Sequence, residues 1–173
     1  MDSESLFMRI IGVDPGSTVT GYGIVEEVNK QLCHVASGRV VSSSRMDFHH
    51  RLKRIYTELE KVIASYQPEV MAVEDLFIAR NIKSALKLGH ARGVAILAGL
   101  NAQLPIAEYS PLEVKKALVG YGRAHKVQVQ EMVRTLLGLG GLPDADTADA
   151  LAVAICHLHC CQGAGSLTQR NRR

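Results

Sequence analysis

Asp14, Glu74, Asp146 and Asp149 are the residues whose types and places in this chain could do chemistry. Asp14 closes the apolar run that begins at Met8, and Glu74 closes Val70-Met71-Ala72-Val73. Asp146 and Asp149 open the apolar stretch from Ala150 to Ile155. Carboxylates at strand ends and at a helix start can meet at one point of an open α/β sheet, because ligands there bind outside the strand ends. A set of oxygen donors with no required thiol suits a hard cation such as Mg²⁺. Two such ions about 4 Å apart can clamp the attacking and leaving oxygens of a phosphodiester. Each acid alone has a structural explanation. Asp14, before Pro15-Gly16, forms turns. Glu74 can simply leave the sheet into solvent. Asp144, Asp146 and Asp149 suit the cap and first turn of a helix. Together the acids would repel one another unless cations lie among them. Asp146 and Asp149, three apart, share a helix face.

The elements that must carry these residues follow from hydrophobic period and breakers. Residues 9–14 read as a buried strand from their β-branched content, and Pro15-Gly16-Ser17 as a turn. Residues 18–26 and 31–41 read as two further strands, giving an antiparallel meander. Asp47 can cap a helix reaching Tyr66, with Leu52, Ile55, Leu59, Val62 and Ile63 on one face and Pro68 beyond its end. Residues 70–74 form a fourth strand, 82–103 a long helix and 105–109 a fifth strand. Helices over 111–119 and 127–137 follow, and Pro143-Asp144 starts a last helix ending near Cys160. The strand–helix–strand connections imply right-handed crossovers. The fold class is α/β: a five-stranded mixed sheet flanked by helices.

The 173 residues suffice for one domain with a substantial core. An apolar content of 47% with only 5% aromatics fits an α/β protein better than an all-β sandwich. The net charge of +3 permits a nucleic-acid partner without demanding one. Residues 1–7 read as an N-terminal extension, 8–161 as the folded domain and 162–173 as a basic, disordered tail. Neither a signal peptide nor a spanning segment is apparent, so a cytoplasmic protein is expected. Cys156, Cys160 and Cys161 crowd one helix with His157 and His159. Reduced thiols are the expectation there, with a zinc site as the alternative. Arg80, Lys83, Lys87 and Arg92 follow Glu74. Lys115, Lys116, Arg123, His125 and Lys126 follow the fifth strand. They read either as solvated helix faces or as a phosphate track. Phe77, just past Glu74, is either core or a surface that stacks on an unpaired base.

Four segments carry a resemblance to a known family. They are Ile11-Gly12-Val13-Asp14-Pro15-Gly16-Ser17 with Gly21-Tyr22-Gly23, the stretch from Val73 to Gly93, Tyr109 to Lys116, and Asp146 to Ala152. In this order they resemble the RuvC family of bacterial Holliday-junction resolvases, over roughly residues 8 to 160. The resemblance implies an RNase H-like fold and a homodimeric endonuclease of DNA recombination and repair. Such an enzyme nicks four-way DNA junctions symmetrically, leaving 5′-phosphates and 3′-hydroxyls. It implies two Mg²⁺ ions per site, for which Mn²⁺ can substitute, held by Asp14, Glu74, Asp146 and Asp149. Asp144, beside Asp146, leaves the third of these open. It singles out Lys115 and Lys126 as catalytic and DNA-contacting, and Phe77 as holding an opened junction. With them, Arg80, Lys83, Lys87, Lys116 and Arg123 make up the expected DNA-binding set. It implies partnership with the branch-migration proteins RuvA and RuvB.

Within the helix over 82–103, the half from Gly93 to Leu100 is apolar on all sides. One face meets the sheet and the others need cover, which a twofold dimer would give. Ala95 and Ala98 are the expected contact residues. Two other function classes share the first motif. One is an actin-like nucleotide-binding fold, whose phosphate loop resembles Asp14 to Gly21 but which needs two such domains. The other is a non-catalytic DNA-binding module, which has no reason to keep mutually repulsive acids.

Overall fold

Alternation along the first strand decides the layers. In the computed structural model, which describes residues 7–75 and 81–170 (side chains within 8–161), β1 (Phe7–Asp14) sends Ile10 to one side of a sheet and Ile11 and Val13 to the other. β2 (Val19–Val28) and β3 (Gln31–Val41) follow antiparallel, completing the expected meander. β4 (Val70–Glu74) and β5 (Ile106–Tyr109) join β1 in parallel, so the sheet order is β3-β2-β1-β4-β5. The helices are α1 (Phe48–Tyr66), α2 (Ile82–Asn101), α3 (Pro111–Val119), α4 (Lys126–Leu136) and α5 (Ala145–Arg170).

Two apolar layers sandwich the sheet. α1 and α2 cover the Ile11–Val13 side through Ile55, Leu59, Ala91, Ala95 and Ala98. α3, α4 and α5 cover the Ile10 side through Val114, Val129, Val133, Leu151 and Ile155. α1 begins where expected: the Asp47 side chain accepts from the His49 N–H, and Gln67 ends the helix in the left-handed region before Pro68. α5 lies unusually close to the sheet. A Cβ on Gly12 would stand 2.0 Å from the Ala150 carbonyl oxygen, and one on Gly21 would stand 2.1 Å from that of Asp146. Only glycine permits this approach.

Two expectations need correction. α5 continues past Cys160, where the helix was expected to end, to Arg170, and no proline after Pro143 stops it. On α2, Ala95 and Ala98 are buried in this chain's own core and are not available to a second copy. The apolar side chains left outside are Ile82, Leu86, Leu97 and Leu100, exposed by 78%, 59%, 48% and 54%. The all-round apolar pattern was real, but the small residues seat the helix on the sheet and the large ones face out.

Candidate active site

Parallel pairing of β1 with β4 sets Gly12 beside Ala72 and Val13 beside Val73. Asp14 and Glu74, one residue further, therefore leave neighbouring strands at the same edge. Period-two alternation puts Asp14 on the face of Ile10 and Gly12, and Glu74 on that of Ala72, the side covered by α5. The two carboxyls are hydrogen-bonded to each other. Burial, with the charges of Asp149 and Asp146, pushes the Asp14 carboxyl up to about 7. Burial, with Asp14 and Asp149, pushes Glu74 up to about 8. The interaction between the two carboxyls lowers Asp14 and raises Glu74.

The first turns of α5 bring the other acids. Gly21 faces Asp14 in the β1–β2 register and lies under the Asp146 carbonyl, so the strand pair and the helix meet there. Asp144 has a different task. It accepts from the Thr147 N–H at 3.1 Å and from the Thr147 hydroxyl at 2.8 Å, capping α5. Arg39 of β3 stands 3.4 Å from Asp144 and 3.9 Å from Asp146. The cap bonds and Arg39 hold the Asp144 carboxyl below the usual carboxylate range. Asp146, not Asp144, is among the charges felt by Asp14. The structure thus brings Asp14, Glu74, Asp146 and Asp149 to one sheet edge and spends Asp144 on the helix start.

Lys126, the first residue of α4, reaches into this cluster. Its Nζ lies 2.7 Å from Asp149 Oδ2, and its charge draws down both Asp14 and Glu74. Asp149 in turn holds the Lys126 ammonium above its ordinary range. Glu74, Asp149, Lys115 and Lys126 line a cleft of about 230 Å³. Lys115 is set by α3, whose start is fixed by a reciprocal Ser110–Glu113 capping box. Of the other expected DNA contacts, Lys83, Lys87, Lys116 and Arg123 are exposed outside this cleft, and Lys87 lies 5.9 Å from the centre of the Phe48 ring. Phe77 and Arg80 lie outside the described residues. Arg92 is no free phosphate binder. It pairs with Glu108 and, at 3.3 Å, with Asp75, and donates to the Glu74 carbonyl at 3.3 Å, bracing the end of β4.

Two supporting residues were not foreseen. Buried Arg51 of α1 donates to the Ser17 carbonyl at 3.3 Å, pinning the turn after Asp14. Arg39 reaches the start of α5. Neither carries a local signal; Arg39 finds its acids only through the β2–β3 register that pairs it with Gly21. The histidines beside the C-terminal cysteines have structural partners. His157 bonds the Tyr109 hydroxyl at 2.8 Å and His159 the Ala117 carbonyl at 3.1 Å, tying α5 to β5 and α3. Among the described residues, no three His, Cys, Asp or Glu side chains close round one point as a ready-made metal cage. At the acidic edge the donors are all oxygens, which suits a hard divalent cation. The Lys126 ammonium already stands in for positive charge there.

A model of the family described as "Crossover junction endodeoxyribonuclease RuvC" matches residues 10–157. The crossover junction endodeoxyribonuclease RuvC of Syntrophotalea carbinolica is 57% identical over 153 residues, covering 88% of this chain and 95% of that protein. That of Geobacter metallireducens is 55% identical over 150 residues, covering 87% and 92%. Among solved structures, T. thermophilus RuvC in complex with a Holliday junction substrate superposes with a TM-score of 0.86 at 34% identity, over 91% of this chain and 96% of that one. The five-stranded mixed sheet with its flanking helices is the RNase H-like fold.

Proposed function

This chain belongs to the RuvC family of crossover junction endodeoxyribonucleases, and on that premise we propose that it resolves four-way DNA junctions by nicking them symmetrically during recombination and repair. The observation that supports this best is the meeting of four carboxylates and two lysines at the carboxyl ends of two parallel strands. The family's nucleases are metal-dependent. Asp14, Glu74, Asp146 and Asp149 would hold the metal, and we take it to be Mg²⁺, two ions per site, with Mn²⁺ able to substitute. When bound, these ions supply Lewis-acid activation of water and of the phosphodiester.

The chain's own groups do the rest. Burial and the charges of neighbouring acids push both the Asp14 and the Glu74 carboxyl up, and both would have to be ionised to hold a metal. Lys115 and Lys126 face the cleft and neutralise the scissile phosphate and the charge developing on its leaving oxygen. Lys83, Lys87, Lys116 and Arg123, with Arg80, would carry the junction arms. Phe77 would stack at the opened crossover. Two copies joined through the exposed leucines of α2 would present two sites to the junction, and a shallow groove lined by Leu86, Gly89, Gly93 and Leu97 offers the seat. RuvA and RuvB are the expected partners and the cytoplasm the expected place. Among the described residues no helix is long and apolar enough to cross a membrane.

The test is cleavage of a synthetic four-way junction, a linear duplex and an RNA–DNA hybrid, each with Mg²⁺ or with EDTA. Paired nicks in the junction alone, only with Mg²⁺, are the expected result. Equal cutting of linear duplex would overturn the junction assignment.

A further inference from the structure

The Lys126–Asp149 pair is an odd arrangement for a residue whose catalytic use is to meet a phosphate. Lys126 opens α4, where the positive end of the helix disfavours a cation. Its side chain is 55% exposed along its length, yet its tip is turned inward to Asp149 Oδ2, 2.7 Å away. Asp149 is the less exposed partner, at 23%, and faces the Asp14–Glu74 pair. Arg39 does a related job from the other side, against Asp144 and Asp146. Of the two lysines in the cleft, Lys126 alone has an ion pair with one of the four acids among the described residues.

We propose that Lys126 is the built-in counter-ion of the metal-free site, so that a metal ion binding at Asp149 must displace its ammonium, which is then free to take a DNA phosphate. This inference rests on the carboxylates being the metal ligands. It adds a coupling between metal loading and phosphate capture. While its ammonium is paired with Asp149, the lysine's charge is largely spent and has less to offer a phosphate. Metal therefore tightens the grip on the phosphate, and a phosphate that draws Lys126 away tightens the site's grip on metal by the same factor. A site without metal then holds its lysine back from DNA. A lone ammonium is a single, flexible charge, so a divalent cation can compete with it.

The experiment is Mn²⁺ binding to the full chain without DNA, read by electron paramagnetic resonance of free Mn²⁺. The proteins are wild type, Lys126→Gln, Lys126→Met, Lys115→Gln and Asp149→Asn, each first checked by thermal melting. Lys126→Gln and Lys126→Met are expected to bind Mn²⁺ more tightly than wild type by roughly two- to fivefold, the range an ion pair at a rim allows. Lys115→Gln is expected to change affinity less. A four-way junction, with Mn²⁺ binding read before any strand is cut, should tighten Mn²⁺ binding in wild type and do so less in Lys126→Gln. Unchanged or weaker Mn²⁺ binding in both Lys126 variants, with binding lost in Asp149→Asn, would refute the counter-ion role and leave the metal site standing. Equal tightening in Lys115→Gln would also refute it, since general cleft charge would then be the cause. Wild-type Mn²⁺ affinity in Asp149→Asn would overturn the metal assignment itself, and the proposal with it.

Discussion

Gly21→Ala is the substitution that most directly tests how the acidic edge is assembled. The new Cβ would lie 2.1 Å from the Asp146 carbonyl oxygen and 2.7 Å from its carbonyl carbon. Ordinary contact begins near 3.4 Å, so the first turn of α5 must retreat from β2 by more than an ångström. Both atoms are backbone, and no side-chain rotation relieves the clash. Asp146 and Asp149 ride on that turn, while Asp14 and Glu74 stay with the sheet. A misplacement of about 1 Å at a catalytic group costs on the order of a hundredfold in rate. Overpacking costs about 1–3 kcal/mol, or roughly 3–10 °C in melting temperature for a chain of this size. The assay is single-turnover cleavage of a four-way junction at saturating protein, alongside junction binding and a thermal melt. Gly140→Ala is the control, because nothing lies within 4 Å of a Cβ there. The expected result is a folded, junction-binding protein that cuts about a hundredfold more slowly. Cleavage within about threefold of the control would mean that α5 can recede without moving its acids, and the positional argument would be wrong.

Asp14→Asn, Glu74→Gln and Asp149→Asn should each abolish cleavage while leaving junction binding, measured by gel shift, largely intact; Asp144→Ala should instead cut at near wild-type rate and lose about 1 kcal/mol of stability with its cap. In EDTA, the raised carboxyls, about 7 for Asp14 and about 8 for Glu74, mean that the folded chain holds protons the unfolded chain releases. Stability should therefore fall as pH rises from about 4 to about 8, with Mg²⁺ restoring most at the upper end and Glu74→Gln flattening the slope; a melting temperature independent of pH over that window would contradict the buried pair. Leu97→Glu should give monomers by sedimentation with little loss of subunit stability, whereas Ala95→Glu should unfold the chain, since it buries a charge against the sheet.

Strand and helix order was legible because each segment kept one period and ended at a recognisable breaker: Pro15, Pro68, Pro105, Pro111 and Pro143 all fall at or beside element boundaries. The four acids were legible for the same reason, since each interrupts an apolar run. What sequence could not say was which surface each apolar residue meets. Ala95 and Leu97 are two apart on one apolar helix, and only the docked sheet tells that the first is buried and the second exposed. Nor could it say that Asp144 caps α5; its bonds to Thr147 are a matter of side-chain direction. Arg39 was invisible because its partners lie across the hairpin and at the far end of the chain.

The sequence distance between these acids has a consequence for folding. Asp14 is synthesised among the first residues and Asp149 among the last, and the glycine-bedded contact of α5 with β1 and β2 joins the two ends. Contacts so distant in sequence form late, because the chain must close a long loop before they repay it. A chain without α5 therefore brings together only Asp14 and Glu74 of the four acids. Asp146 and Asp149 come to the sheet edge only when α5 is seated on Gly12 and Gly21, so the last helix to be made completes the acidic cluster.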